Sequence, residues 1–124
     1  MGVDDGGVRP LRHLGPFLAV YGAWVLLVHT VPGPWRRWSR GDVVDSWTWT
    51  HVAFGALAHR MGLSLGEITA LGAANEVGEA WIRSNRPDWL WGEPERLGNI
   101  AADTVANPVG WLLADRLFPR RTTP

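Results

Sequence analysis

Between positions 14 and 31 the chain reads LGPFLAVYGAWVLLVHTV, without one Asp, Glu, Lys or Arg. No other feature narrows its fold as much. At about 1.5 Å per residue, such a stretch is just long enough to cross the hydrocarbon core of a bilayer. The expectation is a transmembrane helix. It is followed by PGPWRRWSRGD (32–42), where Pro and Gly stop the helix and Arg and Trp suit a membrane interface.

Three further helices are expected. One covers 46–61, and a tight GLS connection follows, in which Ser64 caps the next helix with Glu67 at its third position. That helix covers 65–83. After a loop rich in Pro, charge and Trp (84–95), the last helix covers 96–117, with Pro108 as a kink. The predicted organisation is a flexible arm (1–10), one four-helix membrane domain (11–118) and a short tail (119–124). The fold class is all-α, a four-transmembrane-helix antiparallel bundle. This topology gathers Trp35, Trp38, Trp47, Trp49, Trp89 and Trp91 on one side, with Trp81 close to it, as a one-sided tryptophan belt. The arginine-rich tail assigns both termini to the cytoplasmic side.

Composition removes several functional classes. Cysteine is absent, which excludes disulfide frameworks, thiolate metal sites and cysteine nucleophiles. Twelve basic residues, all arginine, balance twelve acidic ones, so the chain lacks the basic excess of a nucleic-acid binder. Nine tryptophans in 124 residues call for a large core or an interface between water and an apolar phase.

The polar residues inside the helices fall on stripes, because positions four apart share a helical face. Thr48, His51, Gly55 and Ala58 form one. Asn75, Glu76, Glu79 and Arg83 form a second, and Asn99, Asp103, Asn107 and Gly110 a third. Their depths from the tryptophan side agree to within one or two helical turns. The expectation is a cluster of His51, Glu76, Glu79, Asp103 and Asn107 with Arg83 at its mouth. Asn and Asp also hold helices together by hydrogen bonds across a bundle. An ionisable group inside a membrane, however, costs about 2.5–3.5 kcal/mol, which argues for a functional cluster. Glu67 reads as a cap, and His29 and His59 as interfacial.

These residues carry a family resemblance. The segment DSWTWTHVAFGALA with His51 and Gly55, EVGE beginning at Glu76, and RLGNIAADTVANPVGWLLADRL with Asp103, Asn107 and Gly110 together resemble the VanZ-like family of small bacterial membrane proteins. The resemblance spans roughly residues 45–117. It implies a bacterial multi-pass membrane protein and, by the family's namesake role, low-level glycopeptide resistance. Glu79 departs from the pattern, which has glutamine there, and the tryptophan-rich loops are no general feature of the family.

The leading functional expectation is an acid/base enzyme acting on a lipid-like or isoprenoid substrate, with protonation-initiated cyclisation as one form. Its catalytic groups are Glu76, Glu79, Asp103 and His51: a glutamate is the acid, and His51 or Asp103 the base. Asn75, Asn107, Arg83, Trp47, Trp49 and Trp81 are expected to bind the substrate. The partners expected are a lipophilic or lipid-linked molecule and membrane lipid, with no nucleic acid, and a homo-oligomer is compatible with the sequence. No cofactor is expected; a divalent metal on the acids and His51 is the narrower variant. The alternative class is non-catalytic: an envelope protein binding a lipid-linked precursor or an antibiotic, or a subunit of a larger membrane complex. A soluble bundle is the third.

Overall fold

The computed structural model describes residues 9–34, 43–85 and 97–120. The described residues form four helices, α1 (Arg9–Thr30), α2 (Ser46–Arg60), α3 (Leu65–Asn85) and α4 (Leu97–Leu117), and no strand. Most of the expected arm and tail, both long loops, and Trp35, Trp38, Trp89 and Trp91 lie outside the described residues.

Local chemistry sets the helix ends. Asp45 caps α2: its Oδ1 accepts from the backbone N–H of Trp47 at 2.9 Å and of Thr48 at 3.1 Å, while Thr48 Oγ1 accepts from the Asp45 N–H. At the other end Gly62 takes a φ of +95°, a conformation that favours glycine. This lets the Leu63 N–H reach back to the Ala58 carbonyl and close the last turn. Ser64 and Glu67 then bond each other's backbone N–H at 3.2 and 2.7 Å, which starts α3 as the sequence predicts. The helix α4 continues through Pro108 to Leu117.

Cross-helix contacts give the directions. His13 lies against Gly62 and Phe17 against Phe54, so α1 runs opposite to α2. The pairs Thr48–Asp103 and His59–Asp115 show α2 and α4 running the same way. The closest pairing is α2 with α4, and glycine makes it possible. A methyl group on Gly55 would overlap the backbone carbonyl of Asn107, and one on Gly110 would overlap that of Val52. The two backbones therefore touch. α3 packs on α4, and α1 completes the bundle through aromatic side chains: Phe17 and Tyr21 meet Phe54 edge-on at 6.2 and 5.1 Å.

The core is apolar at one end, around Phe17, Ala58, Leu63 and Ile68. Along the α2–α4 seam it is polar, with Asp45, Thr48, His59, Glu76, Asn99, Asp103 and Asn107 all buried.

The membrane assignment does not hold. Among the described residues no helix is long and apolar enough to cross a membrane. The multi-pass cell-membrane location, the transmembrane helices and the orientation of the termini fall with it. The expectation rested on missing charge at positions 14–31. Missing charge is not hydrocarbon character: Gly15, Pro16, Tyr21, Gly22, Trp24 and His29 interrupt the apolar residues there. What the structure retains of the expected fold is an all-helical arrangement of four helices.

Candidate functional site

Three helices bring His51, Glu76 and Asp103 together. His51 Nε2 lies 3.6 Å from Glu76 Oε1 and 3.7 Å from Asp103 Oδ2. Its other ring nitrogen, Nδ1, is 3.2 Å from Asn107 Nδ2. An amide nitrogen only donates, so Nδ1 accepts, and the proton of a neutral ring sits on Nε2, facing the two acids. Asn107 is itself confined, because a methyl group at Gly72 would come within 2.6 Å of its amide nitrogen.

Behind this trio a second row fixes Asp103. Thr48 Oγ1 donates to Asp103 Oδ1 at 2.6 Å and accepts from the Asp45 N–H, so one residue serves both the helix cap and the site. Asp45 Oδ2 accepts from Asn99 Nδ2 at 3.2 Å.

Burial dominates the electrostatics. It pushes the Asp103 carboxyl up to about 6, against the Thr48 hydrogen bond, with the charges of Asp45 and Glu79 adding and that of Arg83 opposing. Burial also lowers His51, partly offset by the negative charges of Glu79 and Asp45. His51 is therefore a neutral imidazole at neutral pH, available as a base.

A pocket of about 280 Å³ opens beside the trio where all four helices meet. Phe17, Leu18, Phe54 and Leu71 make its apolar walls, and Tyr21, His51, Asn75 and Asn107 supply polar groups. Of the four expected catalytic residues only His51 lines it. Glu76 and Asp103 stand behind His51. Glu79 lies further along α3: its Oε1 accepts from Asn75 Nδ2 at 3.0 Å, and its Oε2 is 3.6 Å from Arg83 Nη2. The expected five-residue cluster is thus two linked groups, one around His51 and one around Asn75.

Among the expected substrate-binding residues, Asn75 and Asn107 are in the pocket wall and Arg83 acts on it through Glu79. Trp49 and Trp81 are exposed, Trp47 is half-buried, and none of the three lines the pocket. Tyr21 and Asp45 belong to the arrangement although the helical stripes do not reveal them. Asp45 carries a usable signal, an acid three residues before Thr48 at a helix start. Tyr21, the only tyrosine, sits in an apolar stretch that offers none. His59 is a correction. Expected at an interface, it is buried, its Nε2 is 2.9 Å from Asp115 Oδ1, and its ring stands edge-on to Trp111.

The donor set also suits a small divalent ion. One ligand atom each from His51, Glu76 and Asp103 lies within 4.8 Å of the other two, and Asn107 and Thr48 hold two of the three groups in place. The chain matches no protein family, no curated protein and no solved structure.

Proposed function

We propose that the chain is an acid/base enzyme acting on a lipophilic small molecule held in the pocket, with His51 as the general base. The observation that carries this reading is the double placement of His51. Its ring lines an apolar pocket while Nε2–H faces Glu76 and Asp103. A proton taken at Nδ1, in place of the Asn107 amide, creates an imidazolium, and carboxylate charge beside Nε2 stabilises that cation. Protonation-initiated cyclisation is the less favoured form of the chemistry. Its expected acid is a glutamate, and neither Glu76 nor Glu79 lines the pocket. The motif residues behind the VanZ-like resemblance, His51, Glu76, Asp103 and Asn107, are the ones this mechanism uses.

A general base acting on a carbon acid leaves a signature in heavy water. Incubated in D₂O with a panel of ten-carbon cyclic ketones and hydroxyketones, the protein is expected to speed deuterium incorporation next to the carbonyl. His51→Gln is expected to return the rate to that of buffer. Exchange that survives His51→Gln, or an intact protein that never exceeds buffer, removes the base from the reading.

The second reading is a divalent ion held by His51, Glu76 and Asp103, favoured by their mutual distances. It predicts stoichiometric metal in the purified protein and exchange that stops on chelation. Metal-free protein with undiminished exchange excludes it.

A further inference from the structure

The base reading leaves unused a second polar row, which reaches the pocket through Asn75 and Tyr21, and that row has a fixed direction. Glu79 is paired with Arg83, and its Oε1 takes a hydrogen from Asn75 Nδ2. A carboxylate only accepts, so the Asn75 amide must turn its nitrogen towards Glu79 and its Oδ1 towards the pocket. The Tyr21 hydroxyl donates its single proton to that Oδ1. Burial and the negative charges of Glu79 and Glu76 drive the phenol pKa far above its ordinary value, so the hydroxyl keeps this proton. Tyr21 Oη therefore presents the pocket with acceptor lone pairs. Its ring is held between Phe17, stacked at 6.4 Å, and Phe54, edge-on at 5.1 Å.

Three physical limits then define the occupant. Among the described residues no charged side chain lines the pocket, so an ion entering it would give up hydration without a charged partner there. The space is about 280 Å³. An apolar cavity of about 150 Å³ takes benzene, so this one has room for roughly ten to twelve non-hydrogen atoms. At Tyr21 an O–H gains a hydrogen bond, whereas a carbonyl oxygen meets lone pairs.

We infer that the pocket selects a neutral, mainly hydrocarbon molecule of this size that carries a hydroxyl, as the hydroxyketones above do, with that hydroxyl donating to Tyr21, and that Asn75 sets this preference by holding the Tyr21 proton. The inference rests on the reading of the pocket as the ligand site and adds the substrate class to it.

Three probes of matched carbon skeleton test it: menthol, menthone and p-menthane, titrated calorimetrically against the intact chain. Menthol is expected to bind roughly tenfold more tightly than menthone, the equivalent of about 1.4 kcal/mol. Tyr21→Phe, which keeps the ring packing, is expected to bring menthol down to the affinity of menthone and leave p-menthane unchanged. Asn75→Leu frees the tyrosine proton to donate and is expected to shift the preference towards menthone. Equal binding of menthol and menthone by the unaltered protein overturns the inference, as does a menthol preference that survives Tyr21→Phe. If none of the three binds, the pocket reading falls too. Selectivity for menthol without deuterium exchange would leave this inference standing and remove only the base; exchange without selectivity would do the reverse.

Discussion

The helix α2 carries two histidines eight residues apart, His51 and His59, and each faces an aspartate of α4, Asp103 or Asp115. The ingredients are the same and the outcomes differ. At the His59 end the imidazole bonds Asp115 directly at 2.9 Å, and the Asp115 side chain is 45% exposed. Trp111 closes over the ring, and Arg120 crosses Trp111 to donate to the carbonyls of His59 and Leu63. Water screens that charge and every direction of approach is filled, so this end is a clasp. At the His51 end the acid is 2% exposed and stands 3.7 Å away, a second carboxylate joins it, and one face of the ring meets a pocket. On the proposed reading, a histidine–aspartate pair becomes a reactive site when its charge is withdrawn from water and space is left beside it.

The largest expected effect falls on both ends together. Gly110→Ala drives a methyl group into the Val52 carbonyl and separates α2 from α4. The overpacking should cost about 3 kcal/mol or more, read as a lowered midpoint in urea denaturation. A variant as stable as the parent would show that the two backbones do not meet at this crossing.

Next come opposite signs at the two aspartates. Asp103 is raised to about 6 by burial, so it binds its proton more tightly in the folded state than in the unfolded one. Its contribution to stability is greatest below pH about 4 and falls as the pH rises through about 6. Asp103→Asn, always neutral, should therefore be more stable than the parent by roughly 3 kcal/mol above pH 6, and no more stable at pH 3. Asp115→Asn, at the screened clasp, should lose about 0.5–1 kcal/mol. Denaturation curves across pH read both; equal shifts at the two positions would erase the contrast.

The histidines themselves divide function from stability. His59→Ala should cost about 2 kcal/mol, through a lost buried hydrogen bond and a packing defect, with deuterium exchange intact in the folded fraction. His51→Ala should cost about 1–2 kcal/mol, from the Asn107 amide left without its acceptor, and abolish exchange. The smallest effect is that of Arg120→Ala, about 0.5 kcal/mol from the loss of bonds to carbonyls at the end of α2, with ligand affinity unchanged by calorimetry.

Much of this arrangement is legible in the sequence. Helical phase alone places His51, Glu76, Asp103 and Asn107 on inward stripes. The capping residues Ser64 and Glu67 mark the start of α3 to the residue. Phase also puts Asn75 and Arg83 four residues either side of Glu79, and they are its partners. Phase says less about contacts between helices: Glu79 shares a stripe with Glu76, yet His51 and Asp103 meet Glu76. Tyr21 escaped because its role depends on α1 crossing close to α3, a tertiary fact with no periodic trace. The membrane expectation failed because it counted absent charges where it needed apolar surface. His59 was misread because proximity to a helix end says nothing of Arg120 and Trp111 folding over it.

The contact of Gly55 and Gly110 with the opposing backbone has a consequence for how such a chain can vary over time. The separation of His51 from Asp103 is set by main chain against main chain, not by the sizes of the side chains around them. Outward positions such as Leu26, Val77, Val105 and Leu112 can exchange for other residues without moving His51 or Asp103. Descendants of this chain could diverge widely in sequence and still be recognised by two glycines, a histidine, a buried glutamate and an aspartate at fixed spacing.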